Sequence, residues 1–98
     1  MNGLILSFLE MAQAERGAAK NTVLAYTRDL RDFEDFLTAR QKSFETAQPA
    51  DFKAYLANLT ENGFAVRTQS RRLSALREFY KFLYSEKIRK DNPTDCLD

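Results

Sequence analysis

The chain has 98 residues, 44% of them hydrophobic, with eight Phe and four Tyr, which is enough for one domain built round one core without cross-links. Fifteen Lys and Arg stand against fourteen Asp and Glu, histidine is absent and Cys96 is the only cysteine. That composition excludes a histidine triad, a histidine general base, a zinc site of the usual ligand set and an intramolecular disulfide, and it fits a reducing compartment.

The opening MNGLILSFLEMAQAER has a short apolar run, but Glu10 and Glu15 interrupt it and no basic stretch precedes it. It reads as neither a signal peptide nor a membrane span, and the expectation is a soluble cytoplasmic chain. Apolar residues then recur at helical spacing, and no segment alternates as a strand would. The spacing predicts an all-α protein of four helices.

The first helix is predicted over residues 4–16, with Leu4, Phe8, Leu9 and Met11 inward and Gly17 as its stop. The second is predicted over 22–40. Val23, Tyr26, Leu30, Phe33 and Leu37 share its inner face, Arg28, Arg31, Asp32 and Asp35 lie opposite, and Asn21 is placed as its cap. Tyr26 lies on the apolar face and reads as core rather than as a nucleophile. The carboxylates Asp29, Asp32 and Asp35 read as a solvated face rather than an acid/base pair.

The third helix starts at Pro49, whose missing amide proton costs nothing at the first helical position, with Asp51 favourable near the same end. Phe52, Tyr55, Leu56 and Leu59 form its inner side and Gly63 closes it. The fourth is predicted over 66–85 or 66–86. At 100° per residue Val66, Gln69, Leu73, Leu76, Tyr80, Leu83 and Tyr84 share one arc, and Arg67, Ser70, Arg71, Ser74, Arg77 and Lys81 share the opposite one. An Asn92-Pro93 break follows.

Charge is unevenly spread. Between Phe64 and Lys90 eight bases face two acids, a net +6, whereas the first 63 residues carry seven bases and nine acids, a net −2. The basic stripe has Ser70 and Ser74 between its arginines, and such short hydroxyl side chains allow close approach to a phosphate backbone or to base edges. The start of the second helix, Lys20, Asn21 and Thr22, offers backbone amides of the kind that bind phosphate. No glycine-rich phosphate loop exists, since Gly3, Gly17 and Gly63 stand alone.

The segments KNTVLAYTRDLRDFEDFL, TAQPADFKAYLANL, NGFAVRTQSRRLSALREFYKFLYSEK and DNP, in that order, resemble the amino-terminal core-binding domain of tyrosine recombinases and phage integrases, most closely the Xer type. The resemblance runs from about Ile5 to Pro93. It implies a four-helix, SAM-like orthogonal bundle forming half of a clamp on a recombination site, with the second and fourth helices toward the DNA. It further implies that the catalytic Arg, Lys, His and nucleophilic Tyr reside in a following domain, so that residues 1–98 form one non-catalytic domain with no cofactor or metal. Its partners would be double-stranded DNA and other recombinase protomers.

Joined to helical geometry, the resemblance assigns Lys20, Asn21 and Thr22 to phosphate, Arg28 to a more distant contact, and Arg67, Ser70, Arg71, Ser74 and Arg77 to the groove and its walls. Arg72, at the edge of the apolar arc, ranks below Arg71. The chain departs from the commonest pattern at Ala65, where Ser or Thr is usual, and Thr68 is a candidate cap one turn later. The competing reading is a helical adaptor module that binds protein and ignores DNA.

Overall fold

The computed structural model describes residues 2–95 and 97, and among them the chain forms four helices and no strand: α1 (Gly3–Arg16), α2 (Lys20–Ala39), α3 (Pro49–Glu61) and α4 (Val66–Ser85). Cys96 lies outside the described residues. Helix α2 is the hub, packing against α1, α3 and α4, while α3 also packs on α4.

Aromatic rings fill the space between these helices. Phe33 of α2 meets Phe52 and Tyr55 of α3 at centroid distances of 4.9 and 5.0 Å, and Phe79 of α4 meets Phe8 of α1 edge-on at 5.5 Å. Such pairs add attraction beyond the area they bury. Phe44 and Ala47, in the loop between α2 and α3, are buried with them. That loop is held from behind, because the Tyr80 hydroxyl donates to the Phe44 carbonyl at 2.9 Å and the buried Arg89 guanidinium donates to the Phe44 and Ala47 carbonyls at 3.0 and 2.8 Å. Arg89, counted on sequence as part of the positive segment, is therefore an internal pin, paired outward with Asp91.

Helix ends follow local chemistry. Gly17 ends α1 in the left-handed region at φ +60°, and the Ala18 amide reaches back to the Ala12 carbonyl, a closure that any residue with a Cβ adopts at a cost. At the start of α3 the Asp51 carboxylate accepts from the Gln48 amide at 2.8 Å and binds Arg40 and Lys42 at 2.9 and 3.1 Å. Burial pushes the Asp51 carboxyl up, but the Gln48 amide and the two cations outweigh it and leave it below its ordinary value.

Three expectations need correction. Helix α2 begins at Lys20 with Ala19 before it, so Asn21 sits inside the first turn, where its side chain caps nothing; Ala65 likewise precedes α4, and Thr68 lies within the helix. The buried arc of α4 is rotated towards Arg72, Ala75, Leu76, Phe79 and Leu83, with Leu73 half-buried and Val66 and Tyr84 exposed. Residues 61–67 are all exposed, so the apolar Val66 at the start of α4 stays in solvent. Finally, Asp29 is not on a solvated face: it is 2% exposed.

Candidate nucleic-acid interface

Burial of Asp29 comes from the contact between α2 and α4. The Arg71 guanidinium approaches it side-on, with Nε 3.2 Å from Oδ2 and Nη2 2.8 Å from Oδ1. Arg72, one position on, turns inward: its Nη1 donates to Asp32 Oδ2 at 2.6 Å and to the Tyr55 hydroxyl at 3.1 Å, and its guanidinium stacks 4.7 Å from the centre of the Phe64 ring. Tyr55 in turn donates to Asp32 at 2.6 Å. Two acids of α2, two bases of α4 and a tyrosine of α3 thus form one network. Burial opposes the charge on Arg72, yet Tyr55, Asp32 and Asp29 hold its pKa above the ordinary value.

Beside that network lies a groove of about 390 Å³ between α2 and α4, lined by Asn21, Thr22, Ala25, Tyr26, Asp29, Arg71, Ser74 and Ala75. Four of the residues singled out on sequence, Asn21, Thr22, Arg71 and Ser74, are brought together here. Ala25 and Ala75 leave its floor open to close approach. Lys20 stands at the same end as the first residue of α2, and the start of this helix carries no side-chain cap. Its first amides are therefore available to an anion.

The remaining candidates fall on either side. Arg67 and Ser70 are exposed on the first two turns of α4. Arg28 lines a second hollow with Leu24, Arg31 and Arg72, in which Asp32 and Asp35 also stand. The side chains of Lys20, Arg28, Arg31 and Arg67 make no hydrogen bond or ion pair with any described residue. Arg77 is not in this group: half-buried, it donates to the Leu97 carbonyl at 2.7 Å and lines a hollow with Lys81, Tyr84 and Asp95. Glu78, its neighbour in sequence, is bound by Arg16 at 2.7 Å, which holds the Arg16 pKa above its ordinary value.

Sequence reasoning missed Asp29, Asp32 and Tyr55 as partners of the arginines, and Arg31 as a cation without a partner. The surface holds donors and cations but no group set up for chemistry. Burial pushes the Tyr55 and Tyr80 hydroxyls well up, and Tyr26 packs on Phe8 with ring centres 5.3 Å apart. Among the described residues no cluster of three or more acidic or cysteine side chains could hold a metal, and no helix is long and apolar enough to cross a membrane.

Comparison with known proteins makes the class of this all-α fold definite. Residues 5–87 match the phage integrase N-terminal SAM-like domain, and the chain belongs to that family. It is 53% identical over 92 residues to a tyrosine recombinase XerD of Agrobacterium fabrum, covering 94% of this chain and 28% of that protein. A tyrosine recombinase XerD of Rhizobium meliloti is 52% identical over 92 residues, covering 94% of this chain and 30% of that protein, and one of Yersinia pestis is 38% identical over 96 residues, covering 98% and 32%. The chain spans roughly 30% of the length of these curated relatives.

Proposed function

We propose that residues 1–98 form one core-binding domain that grips duplex DNA through α2 and α4 for a tyrosine site-specific recombinase, while strand cleavage falls to residues outside this domain. The observation that carries the reading is the α2–α4 groove, which gathers Asn21, Thr22, Arg71 and Ser74 over a floor of alanines, with Lys20, Arg28 and Arg67 unpaired around it. Cations without protein partners can neutralise phosphates and release counterions, and hydroxyl and amide side chains fix register on the backbone. Arg77, already bonded to a carbonyl, stands at the margin of this surface. The names of the relatives favour recombination as the activity of the whole protein, with other recombinase protomers as its second class of partner.

A fluorescence-anisotropy titration against one duplex at several salt concentrations tests the reading. The chain should bind with a dissociation constant of about 10⁻⁴ to 10⁻⁶ M near physiological salt, weakening linearly with the logarithm of salt concentration. Arg67→Ala should lower that slope by about one, and Lys53→Ala, on α3, should leave it unchanged. Absence of duplex binding would favour a protein-binding adaptor instead, and equal effects of the two substitutions would remove the DNA-facing assignment of α4.

A further inference from the structure

A surface that meets a polyanion has no evident use for a carboxylate, yet Asp29 lines the α2–α4 groove beside Arg71. Neutralising the buried Arg72 accounts for it only in part. Arg72 already has Asp32 at 2.6 Å and the Tyr55 hydroxyl, whereas Asp29 stands 3.8 Å from the Arg72 Nε, beyond hydrogen-bond reach. Both oxygens of Asp29 bond to Arg71 instead.

The way they do so leaves a particular edge open. A guanidinium has five N–H donors in a fixed plane. Asp29 occupies the side edge, Nε–H and one Nη2–H, so the end edge, one N–H on each of Nη1 and Nη2, keeps its two parallel donors. That is the pair that matches the O6 and N7 acceptors of guanine in the major groove. The Asp29 side chain is 1% exposed and that of Arg71 46% exposed, so a rigid anchor holds a side chain whose far end reaches solvent. Ser74, one turn along α4, and Ala75 leave room beside it for a base edge.

We propose that Asp29 is a positioning residue that presents the end edge of Arg71 to a base, making this pair the sequence-reading element of a surface whose other cations bind phosphate. The proposal rests on the DNA-binding reading above and goes beyond it by separating recognition from grip. Holding Arg71 in advance removes part of the ordering cost of binding, and lysine cannot replace it because a single ammonium lacks the fork.

The test compares the chain with Asp29→Asn, Arg71→Lys and Arg71→Ala. Each is measured twice: for bulk affinity to a fixed duplex, and for base preference by selection from a pool of randomised duplexes. Thermal melts confirm that each variant is folded. Asp29→Asn should keep or raise bulk affinity, since it removes a negative charge, while preference at one position falls by on the order of 5- to 150-fold. Arg71→Lys, which leaves the buried carboxylate in place, should lose the same preference with little loss of bulk affinity, and Arg71→Ala should lose both. A purely structural ion pair would not give that split. Wild-type preference retained in Asp29→Asn or Arg71→Lys overturns the proposal, as does binding of the unmodified chain with no base preference, and both outcomes leave DNA binding standing. Absence of salt-dependent duplex binding by the unmodified chain overturns the underlying reading itself.

Discussion

The interior of the bundle and the seam between α2 and α4 are built on the same helices by opposite means. Inside, Phe33, Phe52, Tyr55, Phe79 and Tyr80 are held by apolar burial and ring contacts, and their stabilisation follows area removed from water. Along the seam, Asp29, Asp32, Arg71 and Arg72 are held by directional bonds, whose net gain is small but whose loss leaves a desolvated charge behind. The contrast teaches that charge on α4 is not one commodity. Arg67 meets solvent, Arg71 is anchored but half exposed, and Arg72 is a beam of the structure, although the three lie within two turns.

Breaking the interior should have the largest effect. Phe33→Ala removes the ring that touches Phe36, Phe44, Phe52 and Tyr55, and a loss of about 3–5 kcal/mol is expected in chemical denaturation. Breaking the seam should come next. Arg72→Ala leaves Asp32 without its cation and the Tyr55 hydroxyl without a donor, and because Asp32 remains 47% exposed and can be rehydrated, about 2–3 kcal/mol is expected. A loss equal to that of Phe33→Ala would mean that the seam and the interior are one unit.

A smaller effect, with a pH signature, is expected at the start of α3. The folded pKa of Asp51 lies below its ordinary value of 3.8, so its contribution is fully present above that value and disappears as pH falls through the lower folded one. Asp51→Asn should therefore cost about 1–2 kcal/mol at neutral pH and nothing at strongly acid pH, read as converging thermal midpoints. Arg67→Ala should have the smallest effect on stability, within about 0.5 kcal/mol of the parent by the same denaturation.

Much of this architecture was legible because period and punctuation agree. Leu30, Phe33 and Leu37 recur at helical spacing, Pro49 opens a helix, and Gly17 and Gly63 close two of them. The other two helices end in the same left-handed geometry at Gln41 and Lys87, with φ 62° and 61°, residues whose side chains announce no stop. Phe44 was missed because a loop residue has no periodicity to betray its burial.

The seam was misread for a different reason. Asp29 falls between Phe33 and Phe36 on the helical wheel, and Arg72 falls between Phe79 and Leu83, positions where the period asks for an apolar residue. Opposite charges at two such positions are the signature of a buried pair. Their hydrogen-bond partners, Arg71 for Asp29 and Asp32 for Arg72, lie about forty residues away in sequence and show themselves only once α2 and α4 are packed. The groove candidates at Asn21, Thr22, Arg71 and Ser74 were legible because they depend on one face of each helix, whereas Arg77 was drawn elsewhere by the Leu97 carbonyl, which no helical wheel contains.

The central claim is that the α2–α4 face meets DNA, and amide chemical shifts recorded while duplex DNA is added to the labelled chain test it most directly. The account predicts salt-sensitive shifts at Lys20, Asn21, Thr22, Arg28, Arg67, Ser70, Arg71 and Ser74, with the exposed side of α3 around Lys53 silent. Shifts confined to the hollow between α1 and α4 that holds Glu10, Glu15 and Glu86, or none at any salt concentration, would contradict it.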